Sequence, residues 1–299
     1  MLKKSALLLV ALILVIPATT LQAWDHPGHM TSAAIAFAEI ESSRPELIEK
    51  IGGILLSHPD IAPFWVASGG ERGLERTRRM FIEGARWPDD AKWTMHDRPN
   101  YHSARWPLIE EGAPPEAVAA AEARGGKPRG QAIEALVLNF AVLANPETSK
   151  TDRARALTWV LHIMGDIHQP MHVTDLFSTT YPDGNSASTL SYVDDPLTDG
   201  TIPLHLLWDS NNLRTTDLED VDRNAKELRA KYPRSSFPEL GPVTGPEVFE
   251  KWARESYRVA VEFAYGSRIE TVINPNEDVS PDDLVKSMAL FILEGISPV

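Results

Sequence analysis

Residues 149–172 read SKTDRARALTWVLHIMGDIHQPMH, and this segment constrains the rest of the chain more than any other. The first twenty positions carry helical periodicity. Pro170 ends the helix, because proline offers no backbone N–H and its ring clashes with the preceding turn. His162 and Asp166 are four residues apart, so on a helix they share one face about one turn from each other. Beyond Pro170, His172 can fold back toward that face. HLLWD (205–209) repeats the spacing with His205 and Asp209. Imidazole nitrogen and carboxylate oxygen are donors that zinc accepts, and i, i+4 spacing lets two of them reach one ion. Either pair alone reads equally as a helix-surface His–Asp contact worth roughly a few tenths of a kcal/mol. Two pairs plus His172, in a chain of nine histidines, favour metal.

Around this segment the periodicity is helical almost throughout. It predicts helices over 31–42, 45–56, 71–85, 131–144, 149–168, 246–265 and 280–296, the last with Ser280 as N-cap and Pro281 at the first position. Only STLSYV (188–193) alternates like a strand. No repeat or clear linker divides the chain; ARGGKPRG (123–130) reads as a loop, and 173–203 as a long polar loop of the kind that is usually functional or disordered. The expectation is all-α: a single mostly helical domain with long functional loops. RWPDDAKW (86–93) and NYHSARWP (100–107) place Asp89 and His102 in Pro-flanked segments between helices, where ligands are common. His58 and His96 read as surface residues.

The N-terminus opens with MLKK, an apolar run from Ala6 to Ile16, Pro17, and a short segment ending at Ala23. That is the layout of a secretory signal peptide over 1–23, leaving 24–299 as the mature catalytic domain, secreted or periplasmic. The apolar run falls short of the roughly 20 residues a membrane span needs. With no cysteine, neither a disulfide framework nor a lipoprotein anchor is available. The formal net charge is −13, and removal of Lys3 and Lys4 makes it more negative. Such a balance argues against non-specific grip on long polyanions, so phosphate chemistry would need positive charge from another source, such as bound metal.

Taken in order, six elements resemble the S1/P1 nuclease family over nearly the whole mature chain. WDHPGH (24–29) stands for the family's W-G-x-x-G-H, with Asp25 in place of the first glycine. Trp87-Pro88-Asp89 gives W-x-D, with Lys92 as the basic residue three further on, and Tyr101-His102 follows. HIMGDIHQPMH matches H-x-x-G-D-x-H-Q-P-x-H at every fixed position, Asp183-Gly184-Asn185 stands for G-G-N, and His205 to Asp209 gives H-x-x-W-D. The resemblance implies a mostly helical phospholipase C/P1 nuclease-like fold holding three Zn2+ ions. One ion would take Asp89, His102, His162 and Asp166; a second His172, His205 and Asp209. The third would take His29, a bridging Asp166, and the α-amine and carbonyl of Trp24. Asp89 would orient the nucleophile, Lys92 would offset charge on the phosphate, and Asn185 would contact phosphate or water. His168 fits the motif without being a ligand, and is expected to have a structural role.

The implied activity is hydrolysis of single-stranded DNA or RNA to 5′-phosphate products, with 3′-nucleotidase activity toward nucleotides. No stable protein partner and no membrane anchor after signal cleavage are implied. The chain departs from the family at the base pocket, carrying Ser103 and Arg105 where an aromatic residue and Asp or Asn are usual. Trp93, Trp106, Phe177 and Tyr181 are candidate replacements for base stacking. Two alternatives stand beside this reading. One is a zinc-dependent phospholipase C, whose last ligand is typically Glu in H-x-x-x-E rather than Asp209; the other is a helical protein with purely structural zinc.

Overall fold

The computed structural model describes residues 25–210, 214–236 and 245–265. The expected helix 280–296 and Trp24 lie outside them. Ten α-helices and four short strands follow in chain order: α1 His26–Ser43, α2 Leu47–Leu55, α3 Ala62–Ala67, α4 Gly73–Asp90, β1 Trp106–Ile109, α5 Pro115–Glu122, α6 Ala132–Ala144, α7 Lys150–His168, β2 Thr174–Phe177, β3 Tyr192–Asp194, β4 Thr201–Pro203, α8 Leu204–Ser210, α9 Leu218–Lys231 and α10 Glu247–Val259. The last continues into a π-helical turn, Ala260–Ala264. The mostly helical single-domain expectation holds. Among the described residues no helix is long and apolar enough to cross a membrane.

α7 is the organising element. Ser149 caps it by accepting from the Asp152 backbone N–H, which satisfies one of the otherwise orphaned first-turn donors. Its second half is buried on all sides, from Leu157 to His168 with Leu161 only partly covered, so it behaves as a central core helix. α1, α4, α6 and α10 pack around it. α4 comes closest at Gly84, where an added Cβ would sit 3.1 Å from Thr158 Cγ2. That close crossing brings the last turn of α4 against the His162–Asp166 face of α7. Phe37 of α1 meets Phe81 of α4 edge-on at 5.5 Å, anchoring α1 to the same face.

Three expectations are corrected. α4 continues to Asp90 with Pro88 inside its last turn, so Asp89 is helical rather than in a loop; a proline that near the end forfeits only one bond of an already fraying ladder. Residues 188–193 form no strand over most of their length. Ser186, Ala187 and Ser188 have φ of 54°, 60° and 64°, a left-handed run incompatible with extended backbone. Within the supposed long loop 173–203, TDLF (174–177) is a fully buried strand paired in parallel with WPLI (106–109), and β3 and β4 form an antiparallel pair.

Candidate metal centre

The donors reach one point from six places. Asp25 accepts from the Gly28 backbone N–H at 3.3 Å and caps α1, which sets His29 in its first turn with the imidazole fully buried. Asp89 comes from the end of α4. His102 ends a 3₁₀ turn, Pro99–His102. α7 supplies His162 and Asp166, the 3₁₀ turn Pro170–His172 supplies His172, and α8 supplies His205 and Asp209. All are buried except His102, which is partly covered.

Two donors each about 2.1 Å from a tetrahedral zinc lie about 3.4 Å apart. Asp166 meets that spacing in two directions. One carboxylate oxygen is 3.4 Å from His29 Nε2, and the other is 3.3 Å from both His102 Nδ1 and His162 Nε2. Asp89 Oδ1 stands 3.9 Å from the same two histidine nitrogens. On the far side His205 Nε2 is 3.2 Å and His172 Nε2 3.7 Å from the Asp209 oxygens. His172 Nδ1 lies 3.9 Å from Asp166, linking the two halves. His102, His162 and Asp166 form one cluster with donor atoms within 4.8 Å of one another; His172, His205 and Asp209 form a second, and His29, Asp89 and His162 a third.

Three histidines are held in one tautomer. His162 Nδ1 contacts the Ala85 carbonyl at 2.9 Å, His172 Nδ1 the His102 carbonyl at 2.5 Å, and His205 Nδ1 the Ala187 carbonyl at 2.6 Å. A carbonyl only accepts, so Nδ1 carries the proton and Nε2 presents its lone pair to the cluster. Gln169, which the sequence reading passed over, is fully buried. It donates to Asp209 and accepts from the Met171 backbone N–H, so it orients a carboxylate and the turn to His172 together. The signal was present in the H-Q-P-x-H run, where glutamine stands beside two candidate donors.

The residues fit a cation. Both oxygens of Asp89 and Asp166, both nitrogens of His29, and Nε2 of His172 are buried without a hydrogen-bond partner among the described residues. Each such orphan costs about 1–3 kcal/mol, a penalty that metal coordination removes. Burial, together with Asp89 and Asp209, pushes Asp166 well above the carboxylate range. Burial raises Asp89 to about 7 and Asp209 to about 6, against the pull of Lys92 and His205. Burial lowers His102 to about 3 and His172 to about 4, and holds His29 and His162 well below the usual range. In the metal-free protein near pH 6 the histidines are therefore neutral, Asp166 and most of Asp89 hold a proton, and Asp209 is about half ionised. Zinc added to chelated protein at pH 6 should displace on the order of one to three protons, drawn from carboxylates. That number should fall as pH rises past 7, because Asp89 and Asp209 then ionise unaided. Proton release that grows with pH, read with an indicator dye, would refute this account.

Lys92 Nζ lies 3.3 Å from Asp89 Oδ1 at the edge of a cleft of about 540 Å³ that His102, His172 and His205 also line. Asn185 departs from its expected role. Its side chain is fully buried, accepts from the Leu176 and Ser188 backbone N–H groups, and donates to the hydroxyls of Ser188, Ser191 and Tyr265. With the amide committed, it braces the left-handed turn that delivers the Ala187 carbonyl to His205 rather than touching phosphate or water. His168 meets its structural expectation: Nδ1 donates to the Met164 carbonyl and the ring packs on Trp252. His58 is buried rather than on the surface, wedged against Phe64 and Trp87.

Residues 24–286 match the family profile described as S1/P1 Nuclease. The chain is also 25% identical over 189 residues to Nuclease S1 of Aspergillus oryzae, an overlap that takes in 63% of this chain and 54% of that protein. It thus spans about half the length of that relative. The profile covers most of the sequence, including every donor described above, and the chain belongs to the S1/P1 nuclease family.

Proposed function

We propose that this chain is a zinc-dependent phosphodiesterase that hydrolyses single-stranded DNA or RNA to 5′-phosphate products, with 3′-nucleotidase activity toward nucleotides. The observation that carries the reading is Asp166, which offers one oxygen to His29 and the other to His102 and His162 beside an open cleft edged by Lys92. Asp89, His102, His162 and Asp166 would hold one ion; His172, His205 and Asp209 a second; His29 and Asp166 a third, with the Trp24 α-amine and carbonyl once residues 1–23 are removed on export. Bound there, zinc supplies Lewis-acid charge to phosphate oxygens and lowers the pKa of water.

The remaining work falls to side chains. Asp89 orients the attacking water and takes its hydrogen bond, and Lys92 offsets charge growing on the phosphate. Of the four aromatic candidates for base stacking, Trp106 and Phe177 are buried in packing, and the Tyr181 hydroxyl is bonded to the Leu190 carbonyl. Trp93 is different: it is 85% exposed, lines the cleft, and holds φ at 66°. A bulky residue in the left-handed region is strained, and here the strain turns an indole outward beside Lys92. Stacking on an aromatic side chain contributes about 1–3 kcal/mol per base, so Trp93→Ala should raise KM for single-stranded DNA roughly 5- to 150-fold, with zinc content unchanged. An unaltered KM would place base stacking elsewhere.

The function is tested by supplying denatured DNA, RNA, nucleoside 3′-phosphates and phosphatidylcholine, each with and without chelator. Chelator-sensitive release of nucleotides is expected. Choline-phosphate release without nucleotide release would favour the phospholipase reading. A zinc-loaded protein that cleaves none of the four would make the metals structural.

A further inference from the structure

We infer that Arg105 forms an anion subsite in the cleft that holds a second phosphate of the substrate, next to the phosphoester being cut. The inference rests on the phosphodiesterase reading above and adds what that reading leaves open, namely what lies beside the scissile group. Arg105 lines the same cleft as Lys92, His172 and His205. Its charge is close enough to depress the proton affinity of both histidines.

Its backbone is fixed. The N–H donates to the Arg129 carbonyl at 2.8 Å and the carbonyl accepts from the Arg129 N–H at 2.8 Å. Gly130, at φ 109°, lets this crossing form, since a Cβ there would sit 2.0 Å from the Ser103 carbonyl oxygen. The segment that delivers His102 to the metal centre therefore also holds Arg105 in place three residues later.

The side chain lacks the counter-ion that several arginines of this chain have. In this acidic chain Arg78, Arg86, Arg124, Arg214 and Arg229 each reach a carboxylate. The Arg105 guanidinium makes no hydrogen bond or ion pair among the described residues, and its Nε is buried without a partner. The nearby acid is Asp175, whose oxygens already accept from Arg124 at 2.8 Å and from the Ala187 backbone N–H at 3.1 Å. A partly desolvated guanidinium with no acceptor is costly to keep unless an anion completes it. Its planar fork matches phosphate in bidentate fashion, which an ammonium cannot reproduce. Phosphate is thus the fitting chemistry, and it has two sources: a terminal phosphomonoester or the next phosphodiester of the strand.

The test compares TpT, pTpT and TpTpT as substrates of the zinc-loaded protein, with Arg105→Gln and Arg105→Lys beside the wild type. A hydrogen-bonded charge pair predicts kcat/KM higher by about 10- to 100-fold for substrates with the additional phosphate. A gain with pTpT alone assigns the subsite to a terminal phosphate, and a gain with TpTpT to an internal one. Arg105→Gln should collapse the ratio toward one, and Arg105→Lys should leave an intermediate ratio. Wild type without preference, or a preference that survives in Arg105→Gln, would overturn the subsite. Calorimetric binding of the uncleavable methylphosphonate analogue of TpT, with and without a 5′-phosphate, separates the two levels. If no substrate is cut, the phosphodiesterase reading fails; the subsite stands only if the 5′-phosphate still tightens binding and Arg105→Gln removes the gain, and falls otherwise.

Discussion

Replacing Asp166 by asparagine should lower turnover by about a thousandfold or more, a barrier increase of at least ~4 kcal/mol, and should remove zinc from more than one position. Asp166 faces three histidines at once, His29 through one oxygen and His102 and His162 through the other, all within 3.4 Å. An amide keeps the shape but gives one acceptor and one donor, so one side of the bridge would face an N–H. It also loses the negative charge that would offset the cations of the proposed centre. The fold should survive, because Asp166 makes no other hydrogen bond through its side chain and its neighbours on α7 pack through Ile163 and Ile167. Elemental analysis per chain, with circular dichroism as the check on folding, reads the result. Full zinc content with lost turnover would mean that Asp166 does not bridge.

Lys92→Ala should give the opposite pattern, with turnover reduced about 10²- to 10³-fold and zinc content near that of wild type. Lys92 is partly exposed at the cleft edge and touches the cluster only through Asp89 at 3.3 Å. In the proposed role its removal would take away a charge at the cleft edge without opening any metal position. Lys92→Arg should recover part of the rate, since the charge is retained. Parallel loss of zinc and turnover in Lys92→Ala would show that the lysine organises Asp89 rather than the phosphate.

The clustering of the candidate donors was legible because short motifs encode it locally. The i, i+4 pairs His162–Asp166 and His205–Asp209 did fall on helices, and proline did end α7 at the place that turns His172 back. What was not legible depends on partners distant in sequence. β1 and β2 are four residues each, and β2 is buried on both faces, so TDLF shows no alternation to read. α9 is rich in charge and turns Leu218, Val221, Ala225 and Leu228 to the core, a thin stripe among polar residues. Asn185 looked like a ligand-contacting amide because its motif marks position but not direction. Only the fold shows its amide turned inward onto Leu176, the serine hydroxyls and Tyr265. His58 misled for the same reason, its polar flanks hiding an aromatic pocket formed by Phe64 and Trp87.

The donors that meet around Asp166 and Asp209 come from positions as far apart as 29 and 209, in a chain with no cysteine. A filled centre closes long loops across most of the described chain, as a set of disulfides would, and loops of that length restrict the unfolded ensemble most. These cross-links are indifferent to thiols and oxidants. They would open instead to chelators and acid, so a metal-filled centre predicts that proteolysis of this protein follows metal supply and pH rather than redox state.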